Sequence, residues 1–312
     1  MRMLYASFSF SCIFGLTILS GCGGATQNAG FAPGLTANSN HSRQKAPVAP
    51  SAYSGPRDLY VADSNSQSIK ILKNRGYAEL GQITTGIDNP TSVFLDKRGN
   101  LYVANNAADD VTEYAPNGTT PSFTYNDQMS EALLVTADEH DNVFVVDDVG
   151  DNILQYFQQS DTLAAECSPG VSMSGIAVDS KNDVFTSTVT GELIEYQGGL
   201  SGCNATQLSA NPASAFGMTV DKHNDLVVCD PAAGTVDVIA PPYSGVTRTF
   251  GAGLVEPVNV TLNRDNKLAF VVDYSKDVQV YDFQTGTLVM TLGTPYGLVS
   301  PLSAVDGPNA VY

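Results

Sequence analysis

Short apolar runs, each closed by a small polar or acidic residue, recur along most of this chain. Leu59-Tyr60-Val61-Ala62-Asp63, Leu101-Tyr102-Val103-Ala104-Asn105 and Val143-Phe144-Val145-Val146-Asp147 are successive copies of one segment. Val184-Phe185-Thr186-Ser187-Thr188, Leu226-Val227-Val228-Cys229-Asp230 and Ala269-Phe270-Val271-Val272-Asp273 continue the series. Runs this short, rich in β-branched and aromatic residues and bounded by turn formers, predict strands. A polar turn and another strand follow each copy. There, aliphatic residues recur at Ile69, Val111, Ile153, Leu193, Val236 and Val278, at spacings of 40 to 43 residues. Three positions on lie Leu72, Tyr114, Tyr156, Tyr196, Ile239 and Tyr281.

A further strand precedes each copy and ends in Asp96, Asp138, Asp179, Asp221, Asn263 or Asp306. Its residues carry little charge on either face, so both faces are predicted to be buried. The links between these strands and the copies, such as Asp96-Lys97-Arg98-Gly99-Asn100, are tight hairpin turns. In such turns an Asx side chain bonds the backbone that follows, and Gly or Asn accepts positive φ. A repeat of about 40 residues with several short strands is a propeller blade. The expected fold is therefore all-β: one six-bladed β-propeller of four-stranded antiparallel blades, almost without helix after residue 56. The first copy, near Asp58, lacks an inner strand, and the last inner strand, Leu302 to Val305, lacks later ones. Ring closure by the carboxyl-terminal strand repairs both, leaving Val311-Tyr312 as the start of a redundant strand.

The order of turn, Leu-Tyr-Val-Ala-Asp, polar turn and aliphatic-aromatic strand resembles the NHL-repeat family over residues 57 to 312. Copy four departs from it, with Thr188 in place of Asp or Asn. The chain has no Trp, which disfavours tryptophan-aspartate propellers, and only Gly198-Gly199 offers the paired glycines of kelch blades.

At the amino terminus, Arg2 precedes an apolar run that ends in Leu19-Ser20-Gly21-Cys22. The run is short for a membrane span and has small residues where cleavage would occur. The ending resembles the lipobox of bacterial lipoproteins, which implies a signal peptide over 1–21 and lipidation of Cys22. Residues 22–56, rich in Gly, Ala, Asn, Ser and Pro, then form a tether. The alternative is an ordinary signal peptide with an incidental Cys. The resemblance places the protein outside the cytoplasm, anchored in the cell envelope.

The formal net charge is −17. Such a surface repels phosphate backbones, so nucleic acid is not an expected partner, whereas cations and basic partners are favoured. Chemistry is sparse. His41 lies in the tether, while His140 and His223 occupy one solvent-facing position of the hairpin turns. Amidating lyases of the NHL type and streptogramin lyases share such a fold but depend on His, and nothing here matches them. No Gly-x-Ser-x-Gly elbow, P-loop or dinucleotide fingerprint occurs.

The candidate ligand face carries Asp63, Asn105, Asp147, Asp230 and Asp273, once per blade at the end of the second strand. Oxygens of this kind suit a hard cation such as Ca2+. Equally, each can bond its own loop, as a residue repeated in nearly every blade does when its role is structural. Glu131 and Glu256 break the repeat, each just before an inner strand at the position of Asn89. Glu256-Pro257 faintly resembles the Glu-Gly-Pro of the regucalcin and gluconolactonase family, whose Glu joins Asn and Asp around a metal, but the Gly is missing. Cys229 reads as a small buried hydrophobe. Cys167 and Cys203 fall in the outer parts of neighbouring blades, where they either pair or stay separate thiols. Two function classes follow: a noncatalytic, lipid-anchored scaffold for a protein, glycan or small ligand, and a metal-dependent, lactonase-like hydrolase. The lack of a catalytic constellation favours the first.

Overall fold

Leu59–Asp63 (β1) pairs antiparallel with Ser68–Leu72 (β2), which pairs with Glu79–Ile83 (β3). On the other side of β1 lies the far end of the chain, Pro301–Asp306 (β24), with Leu59 opposite Asp306 and Val61 opposite Ala304. This is the closure predicted above. The computed structural model describes residues 58–274 and 276–307. The signal-like segment with Cys22, the tether, and Val311-Tyr312 lie outside the described residues.

Twenty-four strands, numbered β1–β24 in chain order, form six four-stranded sheets among the described residues. Blade 1 is β24-β1-β2-β3, and blades 2 to 6 take four consecutive strands each. Their inner strands are Pro90–Leu95 (β4), Ala132–Ala137 (β8), Met173–Val178 (β12), Met218–Val220 (β16) and Pro257–Leu262 (β20). Each inner strand abuts the next, and β20 abuts β24, so the ring of six closes. The only helical element described is one 3₁₀ turn, Thr294–Tyr296. No described helix is long and apolar enough to cross a membrane.

The core is divided into six clusters, one in each gap between neighbouring blades. Alternation along the second strands explains the division. In Leu268–Asp273 (β21), Ala269 and Val271 pack against blade 5, while Phe270 and Val272 pack against blade 1. In Val143–Asp147 (β9), Val143 and Val145 face blade 2, while Phe144 and Val146 face blade 4. Both faces of these second strands are thus dry, and each fully buried Val or Phe contributes about 1.5–3 kcal/mol.

The inner ring is also sewn by side chains. Ser303 Oγ accepts the Val93 N–H at 3.2 Å, and Ser92 Oγ accepts the Val135 N–H at 3.3 Å. Thr261 donates to the Ala304 carbonyl at 2.8 Å. Between blades 5 and 6 the backbones approach so closely that a Cβ at Gly217 would lie 2.2 Å from the Val258 carbonyl oxygen. Only glycine fits there.

Candidate functional site

Two faces result from the meander. The hairpin face carries the turns between inner and second strands. The loop face carries the connections between blades and the turns between second and third strands. All seven predicted ligand-face residues lie at the loop face, but they fall into two unlike groups.

Asp63, Asn105, Asp147, Asp230 and Asp273 are buried, at 0–2 % exposure. Each receives backbone N–H groups from the connection that leads into its own blade. Asp63 accepts from Val299 and Ser300, Asp147 from Ser130 and Glu131, and Asp273 from Val255 and Glu256. Asp230 accepts from Ala213 and Ser214, and Asn105 from Asp88. These side chains clamp the connecting loop onto the end of the second strand. In blade 4, Thr188 instead pairs within its own turn, bonding Thr190 at 2.9 Å and Glu192.

The residue after each clamp donates its N–H to a carbonyl of the same connection. The pairs are Ser64 to Ser300, Asn106 to Asn89, Asp148 to Glu131, Val189 to Ser172 and Tyr274 to Glu256. Blade 5 differs because Pro231 has no N–H to give; there Phe216 donates to the Cys229 carbonyl. Glu131 is half-buried and Glu256 exposed, and both hold the slot predicted from Asn89. They stand in blades 3 and 6, on opposite sides of the ring, so the structure does not bring them together.

Beside the clamps lies a set of exposed or half-buried acids: Asp88, Asp109, Asp110, Glu131, Asp148, Asp151, Glu192 and Glu256. Lys276 is the one basic residue of this face among the described residues. Partial burial raises the pKa of Asp110, and the neighbouring charges of Asp109 and Asp88 raise it further. Burial, then Asp151 and Asp147, raises that of Asp148. Exposed apolar side chains also appear here that sequence reading missed: Val149, Val189, Val255, Tyr274 and Val299. Their signal was present in the register, since they sit within two residues of a clamp or beside its partner loop.

The hairpin face is mixed in charge. Asp96, Asp138, Asp179 and Asp221 each accept two backbone N–H groups of their own turn. Lys97, Arg98, Lys181 and Lys222 share these turns, and Arg264 lies in the equivalent turn of Asn263. Arg98 pairs with the buried Asp141 and bonds Gln158 at 2.8 Å. The side chains of His140 and His223 are exposed here, at 70% and 67%. Asp221, His223 and Asp225 come together through the turn geometry itself. Near this face, between blades 2 and 3, the sequence reading also missed Glu113. It is 1 % exposed and accepts from Tyr125 Oη at 2.8 Å and Gln159 Nε2 at 3.3 Å. Burial raises its pKa.

Cys167, at the end of the outermost strand of blade 3, is joined to Cys203 of blade 4 by a disulfide, with Cα atoms 5.6 Å apart. Cys229 is a free, buried thiol whose pKa burial pushes well up.

A hard cation wants several converging oxygens. The clamp oxygens already face N–H donors, and Glu131 and Glu256 lie three blades apart, so the predicted set does not fit a shared metal.

No protein-family profile matches the chain, and no curated protein matches it. Solved structures do. A protein of unknown function from Bacteroides caccae superposes with a TM-score of 0.64 at 14% identity, covering 81% of this chain and 99% of its own. A chain from a nidogen–laminin complex gives a TM-score of 0.67 at 14% identity, with 82% and 100% covered. A streptogramin B lyase gives 0.51 at 10% identity, with 64% and 67% covered. At these identities the likeness is one of fold: the chain is a six-bladed propeller.

Proposed function

We propose that this chain is an NHL-type propeller outside the cytoplasm, anchored to a membrane through a lipidated Cys22 and the tether over 22–56. In this reading it is a noncatalytic binding module that takes a basic protein partner on its loop face. The observation that carries the proposal is the charge difference between the faces. The loop face gathers Asp88, Asp109, Asp110, Asp148, Asp151 and their neighbours against Lys276 alone among the described residues, whereas the hairpin face mixes both signs. Acids gathered on one face create a negative potential that speeds encounter with basic polypeptides.

The placement of titratable groups supports a role without catalysis. General acid–base work needs groups within hydrogen-bond reach of one substrate. The two described histidines stand exposed on the hairpin face, away from the loop-face acids. The fold itself suits either class, since its neighbours include a chain of a protein complex and a lyase.

The test uses the full chain and an oligolysine peptide as probe. Replacing Glu131 and Glu256 together by Gln is expected to weaken binding severalfold and flatten its salt dependence, with the melting temperature unchanged. Unaltered affinity and salt slope would refute the acidic-face reading. In the same preparation Cys22→Ala should move the folded protein to the soluble fraction. A correctly cleaved variant that still requires detergent would refute the anchor.

A further inference from the structure

The inner strands enclose a cavity on the axis of the ring. It leaves about 70 Å³ open to the centres of water molecules, and blades 2 to 6 form its wall. The chain has a net charge of −17, yet none of the described residues lining this cavity is charged. The wall is instead apolar on one side and polar on the other. Residues equally far from the turn that ends each inner strand share a level of the cavity. Phe94 and Thr219 stand two residues before Asp96 and Asp221, in blades 2 and 5, which lie opposite each other in the ring of six. Leu134 and Asn259 stand four residues before Asp138 and Asn263, in blades 3 and 6, again on opposite sides. All four are half-buried, so solvent reaches the wall.

Three polar groups on this wall have nothing in the protein to bond. Thr136 is 7% exposed and lines the cavity, but its hydroxyl bonds none of the described residues. The Thr219 hydroxyl likewise has no partner among the described residues. Asn259 uses only its side-chain oxygen, on Ser303 at 3.5 Å, and its amide N–H groups are left over. Other polar groups of the inner ring are matched. Thr261, at the level of Thr136, donates to the Ala304 carbonyl at 2.8 Å, while Ser92 and Ser303 accept backbone N–H groups. Buried polar side chains nearly always have a partner, so unmatched groups around one cavity point to a guest. Water can serve the polar side, but Phe94 and Leu134 offer it no bond.

We infer that the axial cavity binds a small uncharged molecule with hydroxyl groups along one side and carbon along the other, the chemistry of a neutral monosaccharide in its ring form. Its hydroxyls meet Thr136, Thr219 and Asn259, and its C–H face covers Phe94 and Leu134. Such a mixture of apolar lining and a few placed polar groups is what small-ligand sites share. A charged guest would lose its hydration with no opposite charge on the wall to replace it. An apolar guest would leave the three polar groups unmatched. Size agrees, because at about 10–15 Å³ per water the cavity holds on the order of five waters, similar to what a six-membered sugar ring displaces. This site is separate from the loop face and does not depend on a basic partner there.

The experiment titrates the full chain with methyl glucoside, methyl galactoside and methyl mannoside, using glucuronate and cyclohexanol as controls of the same ring size. At least one glycoside is expected to bind, and neither control. Thr136→Val with Thr219→Val keeps the shape of the wall and removes hydroxyls that bond nothing in the protein. The melting temperature should therefore hold or rise, while affinity for the glycoside falls at least about tenfold, equal to about 1.4 kcal/mol. Oligolysine binding should not change. If the double variant melts lower, Thr219→Val alone, at the half-buried position, must still weaken the glycoside. If no glycoside binds, the cavity holds water only and the inference is wrong. It is equally wrong if glucuronate or cyclohexanol binds as tightly as the glycoside. Full affinity in both Val variants would place the sugar elsewhere and overturn the site.

Discussion

Asp147 and Asp148 are neighbours in sequence, yet they belong to different parts of the molecule. Asp147 is 1 % exposed and accepts the N–H groups of Ser130 and Glu131. Asp148 is half-buried, and its carboxyl is pushed up by partial burial and by its acidic neighbours. The same contrast runs around the ring. Clamp residues are alike in nearly every blade and turned inward, while the residues next to them differ from blade to blade and face solvent. What repeats closes loops, and what varies gives each sector its own surface. An acidic side chain therefore carries no functional meaning here until its place in the repeat is known.

The strongest way to break the clamp side of this comparison is to remove its most distant partners. A chain stopped after Gly297 loses β24 together with Val299 and Ser300, the donors to Asp63. Blade 1 would keep an open inner edge. Loss of the cooperative thermal transition is expected, and a transition at the original temperature would overturn the account of closure.

Single clamps come next. Asp147→Ala leaves two backbone donors without their acceptor and should cost about 2–4 kcal/mol. Asp148→Ala, one position away, should stay within about 0.5 kcal/mol. Asp147→Asn should fall between them, because Asn105 performs this task in blade 2. Urea midpoints at constant slope measure all three, and equal losses for Asp147→Ala and Asp148→Ala would erase the distinction.

The smallest effect concerns pH. The raised pKa of Asp148 means that its charged form is disfavoured in the folded state. Its charge thus opposes folding at neutral pH, and that opposition is relieved as pH falls through the raised pKa toward the unfolded value. Asp148→Asn should stabilise by a few tenths of a kcal/mol at pH 7, given the group's partial exposure. The gain should vanish in acid. A gain that grows as pH falls would reverse the sign and the explanation.

Much of the fold was legible because strand alternation, turn residues and repeat spacing are local. The run Val143 to Asp147 declares its own two buried faces, and Asp96 declares its own turn. Closure was legible from a missing strand at one end and a surplus one at the other. The candidate site was less so. Whether Asp273 bonds its loop or waits for a ligand depends on where the N–H groups of Val255 and Glu256 point, which no local pattern states. Glu113 was missed because its burial comes from the neighbouring blade, through Tyr125 and Gln159. The pairing of Cys167 with Cys203 likewise depends on how two blades sit side by side.

The partnership of β24 with β1 also imposes an order on assembly. Val299 and Asp63 are 236 positions apart in the chain, so a chain made from its amino terminus presents β1 long before the strand that covers it. Lengthening a loop adds little to the entropy of joining its ends, but the waiting edge is a template for any other strand. A second copy of the chain could supply its own β24 to that edge and tie two rings together by domain swapping. The final strand is therefore a checkpoint: until it is delivered, the molecule is an open arc able to join its neighbours, and afterwards it is a closed ring with no inner edge to offer.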